Sequence, residues 1–341
     1  MKAVRIHEFG DVDVLRYEDA PKPIASPGEV IVKIKACALN HLDIWVRQGS
    51  RRNPSVPHIL GSDIAGILEH CDTANAGLSV GSRVMVHPGV SCGSCQYCLS
   101  GNDDLCAQYA ILGTGDRGGY AEFINLPYQN IFPMPENLSF EEAAAIPLVF
   151  TTAWRMVVTK ANLRSGEWAL IHAAGSGVGT AAIQIASLLG ARVIVTAGSE
   201  EKLTKAKSLG ADFGINYNTS DFVAKVMDIT EGVGAGVVID TVGGSVFEDS
   251  LMAMGKGGRL VTCGTTSGPK CQINVQNLFA MRKSVLGSFM GSKGEMLKAM
   301  EYIQNGKLRP VVHQSFPLEQ AREAHKVMTE RANFGKIVLT V

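Results

Sequence analysis

The chain has 341 residues, 46% apolar and 19% charged, which fits about two globular domains. Its 32 lysines and arginines balance its 32 aspartates and glutamates, so charge favours neither a nucleic acid nor an anionic membrane as partner. It shows no N-terminal apolar stretch of signal-peptide length and no run long enough to span a membrane. A cytosolic location is therefore expected, where clustered thiols read as metal ligands or redox groups before disulfides.

The first 125 residues are rich in Pro, Gly and short apolar runs, and predict an irregular β domain. "EVIVKIKA" (29–36) and "RVMVH" (83–87) alternate with the period of two that marks a half-buried strand. Arg47, Arg51 and Arg52 form a small basic cluster. The plain expectation for it is a solvated loop; the sharper one is an anionic substrate tail. Cys92, Cys95, Cys98 and Cys106 follow, spaced C-x2-C-x2-C-x7-C. Four thiolates close a tetrahedral zinc shell and leave no vertex for water or substrate, so this zinc is expected to be structural. An iron–sulfur cluster is the rival. Cys37, Cys71, Cys263 and Cys271 stand alone and read as packing residues.

Near residue 140 the pattern changes. Ser139, with Glu141 and Glu142 behind it, opens a helix that Pro147 is expected to interrupt. From 168 onward strands alternate with helices: strand 168–172, helix 177–189 closed by Gly190, strand 192–197, helix 200–209 closed by Gly210. Further strands are expected at 213–217, 236–240, 258–263 and 284–290. This alternation predicts a parallel, doubly wound sheet. A last helix and strand, "EQAREAHKVMTE" and "GKIVLTV", are expected to pack back on the first domain.

"HAAGSGVG" (172–179) joins the first of these strands to its helix. Gly175, Ser176, Gly177, Val178 and Gly179 let backbone approach a pyrophosphate at the positive helix N-terminus, so a dinucleotide is expected there. The tip of the second strand carries Thr196, Ala197, Gly198 and Ser199, then Glu200, Glu201 and Lys202. A hydroxyl and an ammonium without a carboxylate at the tip suit a 2′-phosphate and favour NADP(H). Glu200 keeps NAD(H) open.

Together these pieces resemble the medium-chain dehydrogenase/reductase family, which holds the zinc alcohol dehydrogenases and the quinone oxidoreductases. The resemblance runs from "MKAVRI" to "GKIVLTV". It implies an α/β protein with a β-barrel-like (GroES-like) catalytic domain at 1–126 and 292–341, bearing the zinc lobe near 89–106. A Rossmann domain is implied at 127–291. It also implies a homodimer or homotetramer, paired through the strand in "SVLGSFM".

The departures carry as much as the matches. Zinc alcohol dehydrogenases have a Cys-His-Ser/Thr-Asp segment whose Cys binds catalytic zinc; here it is Asn40-His41-Leu42-Asp43. Their Gly-His-Glu segment is Gly61-Ser62-Asp63, and Val149 stands where a third ligand is expected. His58, His87, Asp43 and Asp63 are the only evident replacements for a catalytic metal site. None of the seven tyrosines has Lys four residues on, so a Tyr-x-x-x-Lys electrophile is also missing. A conjugated acceptor relaxes the demand, because hydride addition spreads charge into an enolate that one or two hydrogen bonds can hold. The expected activity is NADPH-dependent reduction of an enone, a quinone or a short enoyl-CoA such as acryloyl-CoA. The alternatives are an alcohol dehydrogenase with atypical metal ligands and a weakly catalytic nucleotide-binding protein of structural or regulatory role.

The resemblance also implies roles. Asn40 is expected to donate to the nascent enolate or to order the nicotinamide ribose, with an ordinary buried amide as the alternative. Asp43 is a structural acid or a proton donor, and Trp45 walls the substrate pocket. His41 falls near the cofactor phosphates and Thr152 beside the nicotinamide. Ser199, Lys202 and Tyr217, with Arg331, match a 2′-phosphate and adenine pocket. Gly264, Ser288 and Lys336 fall at the nicotinamide end and the pyrophosphate.

Overall fold

The computed structural model describes residues 1–50, 54–71, 78–115 and 117–341. Arg51 and Arg52 of the basic cluster lie outside the described residues. The chain divides into two units: Met1–Leu148 with Ser292–Leu297 and Pro310–Val341, and Val149–Gly291 with Lys298–Arg309.

The first unit extends past the expected boundary at 126 because its neighbouring segments are sheet strands. Phe123–Pro127 pairs antiparallel with Glu29–Ala38, and Ile131–Pro133 with Arg83–Val86. Its main sheet runs Ile131–Pro133, Arg83–Val86, Asp63–Cys71, Glu29–Ala38, Lys336–Thr340, Val312–Pro317, with Phe123–Pro127 also on Glu29–Ala38. The C-terminal strand is thus internal to this sheet, with Leu339 opposite Cys37. Glu29–Ala38 is not half-buried as its alternation predicts: Lys33 is exposed, Lys35 half-buried and the rest buried. Strands pair along its edges and the helix Phe140–Ala144 packs on it, so only Lys33 stays exposed. Ile34, Leu39, Ile64, Leu68, Tyr120 and Leu339 are among the core side chains.

Arg47 is not a solvated loop cation. It ends the helix His41–Arg47, which buries Asp43, Ile44, Val46 and Arg47 on one face. Its side chain is 0% exposed and donates to Gly10 O at 3.3 Å and to His325 Nδ1 at 3.1 Å.

The second unit is built on six parallel strands in the order Phe213–Asn216, Arg192–Ala197, Trp168–Ile171, Ala235–Asp240, Met254–Thr262, Ser284–Gly287. This is the doubly wound order, whose direction reverses between Trp168–Ile171 and Ala235–Asp240. Ser176, Ser199 and Asp221 cap the following helices through their side-chain oxygens. Gly190 (φ +76°) and Gly210 (φ +108°) end two of them in the left-handed conformation, where a Cβ is strained. The last strand is shorter than expected, ending at Gly287; Met290 adopts φ +49°, which breaks the extended run. Pro147 starts a new helix, Pro147–Trp154, since its missing N–H costs nothing in a first turn. Residues 298–309 belong here as well: Tyr302 lies against Trp154, and Gln184 Oε1 accepts from Arg309 N at 2.9 Å.

Candidate functional site

In the second unit, the candidate cofactor residues line the carboxyl ends of the parallel strands. Trp168–Ile171 runs into the turn and then the helix Gly177–Leu188. Ala173 takes φ +53°, and Ser176 Oγ accepts from Gly179 N at 2.9 Å. A Cβ at Gly179 would stand 2.3 Å from Ala173 O, so backbone packs against backbone here and only glycine fits. The N–H groups of Gly177 and Val178, in the first helical turn, have no intrahelical acceptor and carry the positive end of the helix dipole. This cradle fits a pyrophosphate.

The second strand ends beside it. Ser199 caps the helix Glu200–Ser208, its Oγ accepting from Lys202 N at 3.3 Å. Tyr217 is 50% exposed, and its hydroxyl would lie 2.7 Å from a Cβ on Gly198. Ser199, Lys202 and Tyr217 are therefore gathered at one strand tip. Glu200 accepts from Asn216 Nδ2 at 3.0 Å. Gly264 follows Met254–Thr262, and a Cβ on it would stand 2.5 Å from Thr241 O. Ser288 follows Ser284–Gly287 and donates its N–H to Thr262 O at 2.8 Å. Its Oγ is buried with no hydrogen-bond partner among the described residues. Thr152 is 4% exposed and donates to Met290 Sδ at 3.8 Å.

In the first unit a buried polar cluster forms around Asn40, the residue before the helix His41–Arg47. Asn40 Nδ2 donates to Asp63 Oδ2 at 2.9 Å, and Asn40 Oδ1 accepts from Lys336 Nζ at 2.6 Å. Lys336 also donates to Leu39 O at 2.6 Å and to Asp63 Oδ2 at 2.9 Å. Its three N–H donors are thereby engaged within the cluster, and its side chain is 4% exposed. Asp63 Oδ1 accepts from Leu148 N at 2.8 Å. Asp43 is 1% exposed and accepts from Asn40 N at 2.7 Å and Gly61 N at 3.1 Å. Burial raises its carboxyl to about 6 against those hydrogen bonds. His41 meets Trp45 edge-on, ring centroids 4.9 Å apart. Burial and the Arg331 guanidinium lower the His41 imidazole below its ordinary range.

Among the described residues, Cys92, Cys95, Cys98 and Cys106 are the one group of three or more His, Cys, Asp or Glu whose ligand atoms converge, all within 4.8 Å. Cys92 Sγ and Cys98 Sγ are 3.8 Å apart, and Cys95 Sγ and Cys98 Sγ 3.5 Å. Zinc–sulfur bonds of about 2.3 Å at tetrahedral angles need sulfurs about 3.8 Å apart. Cys95 N donates to Cys92 Sγ at 3.4 Å and Gln108 N to Cys106 Sγ at 3.4 Å, bonds that favour thiolates. Backbone N–H groups of Ser94 and Cys95 lower the Cys92 thiol to about 6. The lobe fits zinc, and Lys293 anchors it by donating to Asp103 Oδ2 at 2.9 Å.

The Asn40 cluster does not fit zinc. Asn40 offers a neutral amide oxygen already bound to an ammonium, and a dication beside Lys336 would be repelled. Ser62 donates its hydroxyl to Leu112 O at 2.7 Å. His58 Nε2 is directed to Gly113 O at 2.9 Å, and His87 Nδ1 accepts from Gly89 N at 3.1 Å. The replacement ligands His58, His87, Asp43 and Asp63 therefore do not converge. Val149 is apolar and 4% exposed.

Sequence reasoning missed Tyr120, whose hydroxyl donates to Asp43 Oδ2 at 3.3 Å, and His325, whose Nε2 lies 3.1 Å from that hydroxyl. The signal for His325 is its place in a stripe of buried Ala321, Ala324, His325 and Met328 at helical spacing.

Comparison with known proteins agrees with both units. A family model described as "Alcohol dehydrogenase GroES-like domain" matches residues 26–136, and one described as "Zinc-binding dehydrogenase" matches residues 177–305. A quinone oxidoreductase of Mus musculus is 31% identical, covering 99% of this chain and 97% of its own length. An alcohol dehydrogenase of Geobacillus stearothermophilus is 32% identical over 100% of both. A solved structure of a protein named NAD-dependent alcohol dehydrogenase is 47% identical, covers 100% of both chains and superposes with a TM-score of 0.96. The chain is an oxidoreductase that belongs to the medium-chain dehydrogenase/reductase family.

Proposed function

We propose that this enzyme reduces an activated C=C bond or a quinone with NADPH and uses no catalytic metal. The observation that carries the reading is the Lys336–Asn40–Asp63 cluster, in which Asn40, at a position expected of a zinc ligand, is an amide bound to an ammonium. Asn40 is 7% exposed, and only one hydrogen of its side-chain amide is taken, by Asp63. The second has no partner among the described residues and is the donor offered to an enolate or quinol oxygen. The bond from Lys336 to Asn40 Oδ1 polarises the amide and strengthens that donor. Asp43 fixes the Asn40 backbone and, with its oxygens on N–H groups, serves as a positioning group more than a proton source. The nicotinamide, when bound, supplies the hydride.

NADP(H) over NAD(H) is supported by Ser199, Lys202 and Tyr217 at one strand tip and by Glu200 being engaged with Asn216. A structural zinc in the cysteine lobe follows from the converging thiols. Dimerisation is supported by the edge strand Ser284–Gly287 and by Val275, Phe279 and Val285, which are 66%, 69% and 37% exposed. No helix of the described residues is long and apolar enough to cross a membrane.

The test is steady-state oxidation of NADPH with a small enone, a benzoquinone and acryloyl-CoA, against a saturated aldehyde. Turnover of a conjugated acceptor with none of the aldehyde supports the reading; the reverse order sinks it. The second reading, an NAD-dependent alcohol dehydrogenase, is favoured by the 47% identity to a protein of that name. It would show as ethanol oxidation with NAD.

A further inference from the structure

Behind Asp43 lies a chain of buried polar side chains from three parts of the first unit. Arg47, Tyr120 and His325 are each 0% exposed, and Asp43 is 1% exposed. Arg47 Nη1 lies 3.1 Å from His325 Nδ1. His325 Nε2 lies 3.1 Å from Tyr120 Oη, which lies 3.3 Å from Asp43 Oδ2.

The direction of these bonds follows from chemistry alone. A guanidinium only donates, so His325 Nδ1 must accept and the imidazole is neutral with its proton on Nε2. That Nε2–H then donates to the Tyr120 oxygen, which leaves the phenol hydrogen for Asp43. Burial, with the Arg47 charge second, lowers the His325 imidazole to about 3, and burial raises the Tyr120 phenol well above its ordinary range. Neither group changes charge at working pH, so the chain keeps one direction. At its far end Asp43 accepts from Asn40 N and Gly61 N. Asp43 also feels Lys336 and Asp63, and interacts with the buried thiol of Cys37; Arg47 and Tyr120 face His325.

We propose that His325 and Tyr120 are positioning residues. Through a one-way hydrogen-bond chain from Arg47 they orient the Asp43 carboxylate, and through it the backbone from which Asn40 presents its amide. The effect on turnover rests on the reading of Asn40 given above; the chain itself does not.

Two measurements on the full chain test this. The first is 15N NMR of histidine-labelled protein. His325 is expected as the neutral Nε2–H tautomer, without titration between pH 5 and 8; an Nδ1–H tautomer or a titration in that range overturns the chain. The second compares Tyr120→Phe, His325→Gln and His325→Leu. Tyr120→Phe removes one oxygen and is expected to raise the Asp43 carboxyl, followed by 13C NMR, by about one in pKa. It is also expected to lower kcat about tenfold with KM for NADPH unchanged. A glutamine amide offers the same acceptor–donor pair as this imidazole, so His325→Gln is expected to behave as the parent and His325→Leu as Tyr120→Phe. An Asp43 titration unmoved in Tyr120→Phe, or equal behaviour of the Gln and Leu variants, overturns the proposal even if the latter folds poorly. A parent enzyme inert to every conjugated acceptor would sink the functional reading alone, because the NMR signatures still decide the chain.

Discussion

Lys336 Nζ and Asp63 Oδ2 lie 2.9 Å apart, with side chains 4% and 0% exposed. Two charges so deeply buried have given up most of their hydration. Their attraction offsets that loss only because each carries further bonds, Lys336 to Leu39 O and Asn40 Oδ1, Asp63 to Asn40 Nδ2 and Leu148 N. Lys336→Met leaves Asp63 charged and without its cation. It is expected to destabilise the fold by about 3–5 kcal/mol, read from denaturant unfolding. A change under about 1 kcal/mol would mean that the pair is not formed.

Lys202 should discriminate between the two nicotinamide cofactors. Lys202→Ala removes a cation from the strand tip that Ser199 and Tyr217 share. The Kd for NADPH, by fluorescence titration, should rise about tenfold, the worth of one charge-assisted contact, with little change for NADH. An equal effect on both cofactors would remove Lys202 from the 2′-phosphate pocket.

The cysteine lobe should hold one zinc per subunit. Cys98→Ser takes one thiolate from a group whose ligand atoms lie within 4.8 Å. Metal analysis of the purified variant is expected to show zinc well below stoichiometry, with loss of thermal stability. A variant that keeps full zinc and full stability would refute the tetrathiolate site.

Acid should destabilise the protein in a window set by buried histidines. His87 and His172 are lowered to about 4 and His325 to about 3, each chiefly by burial. The unfolded chain takes up these protons near pH 6.5 and the folded chain does not, so the stability they contribute is complete above about 6.5 and is lost as pH falls through about 4. Asp43 acts oppositely: its carboxyl is raised to about 6, so between about pH 4 and 6 the folded chain holds a proton that the unfolded chain has released. At pH 5 the three imidazoles outweigh Asp43, so unfolding takes up protons there and stability falls as the pH is lowered. Stability that rises or stays flat from pH 6.5 to 4.5 would contradict the burial of these imidazoles.

Local patterns made much of the architecture legible. Gly190 and Gly210 end helices because the left-handed backbone there suits glycine, and Ser139, Ser176 and Ser199 precede helices as caps. Four cysteines within fifteen positions need no long-range knowledge to be grouped. What escaped was set by distance along the chain. Arg47 meets His325 across 278 positions, and Lys336 meets Asn40 across 296. Arg47 reads as solvated beside Arg51 and Arg52, and only the buried face of its helix shows otherwise. Lys336 reads from sequence as a cofactor contact, and its three bonds to Leu39, Asn40 and Asp63 appear only in the fold.

The most direct trial of the account is zinc per subunit, measured on the same enzyme sample that is turning over an enone with NADPH. The account predicts one tightly held zinc and turnover indifferent to chelators that leave the lobe intact, with Asn40→Ala lowering kcat by about a hundredfold at unchanged zinc content. A second zinc, whose removal stops turnover and whose return restores reduction of a saturated aldehyde, would contradict it.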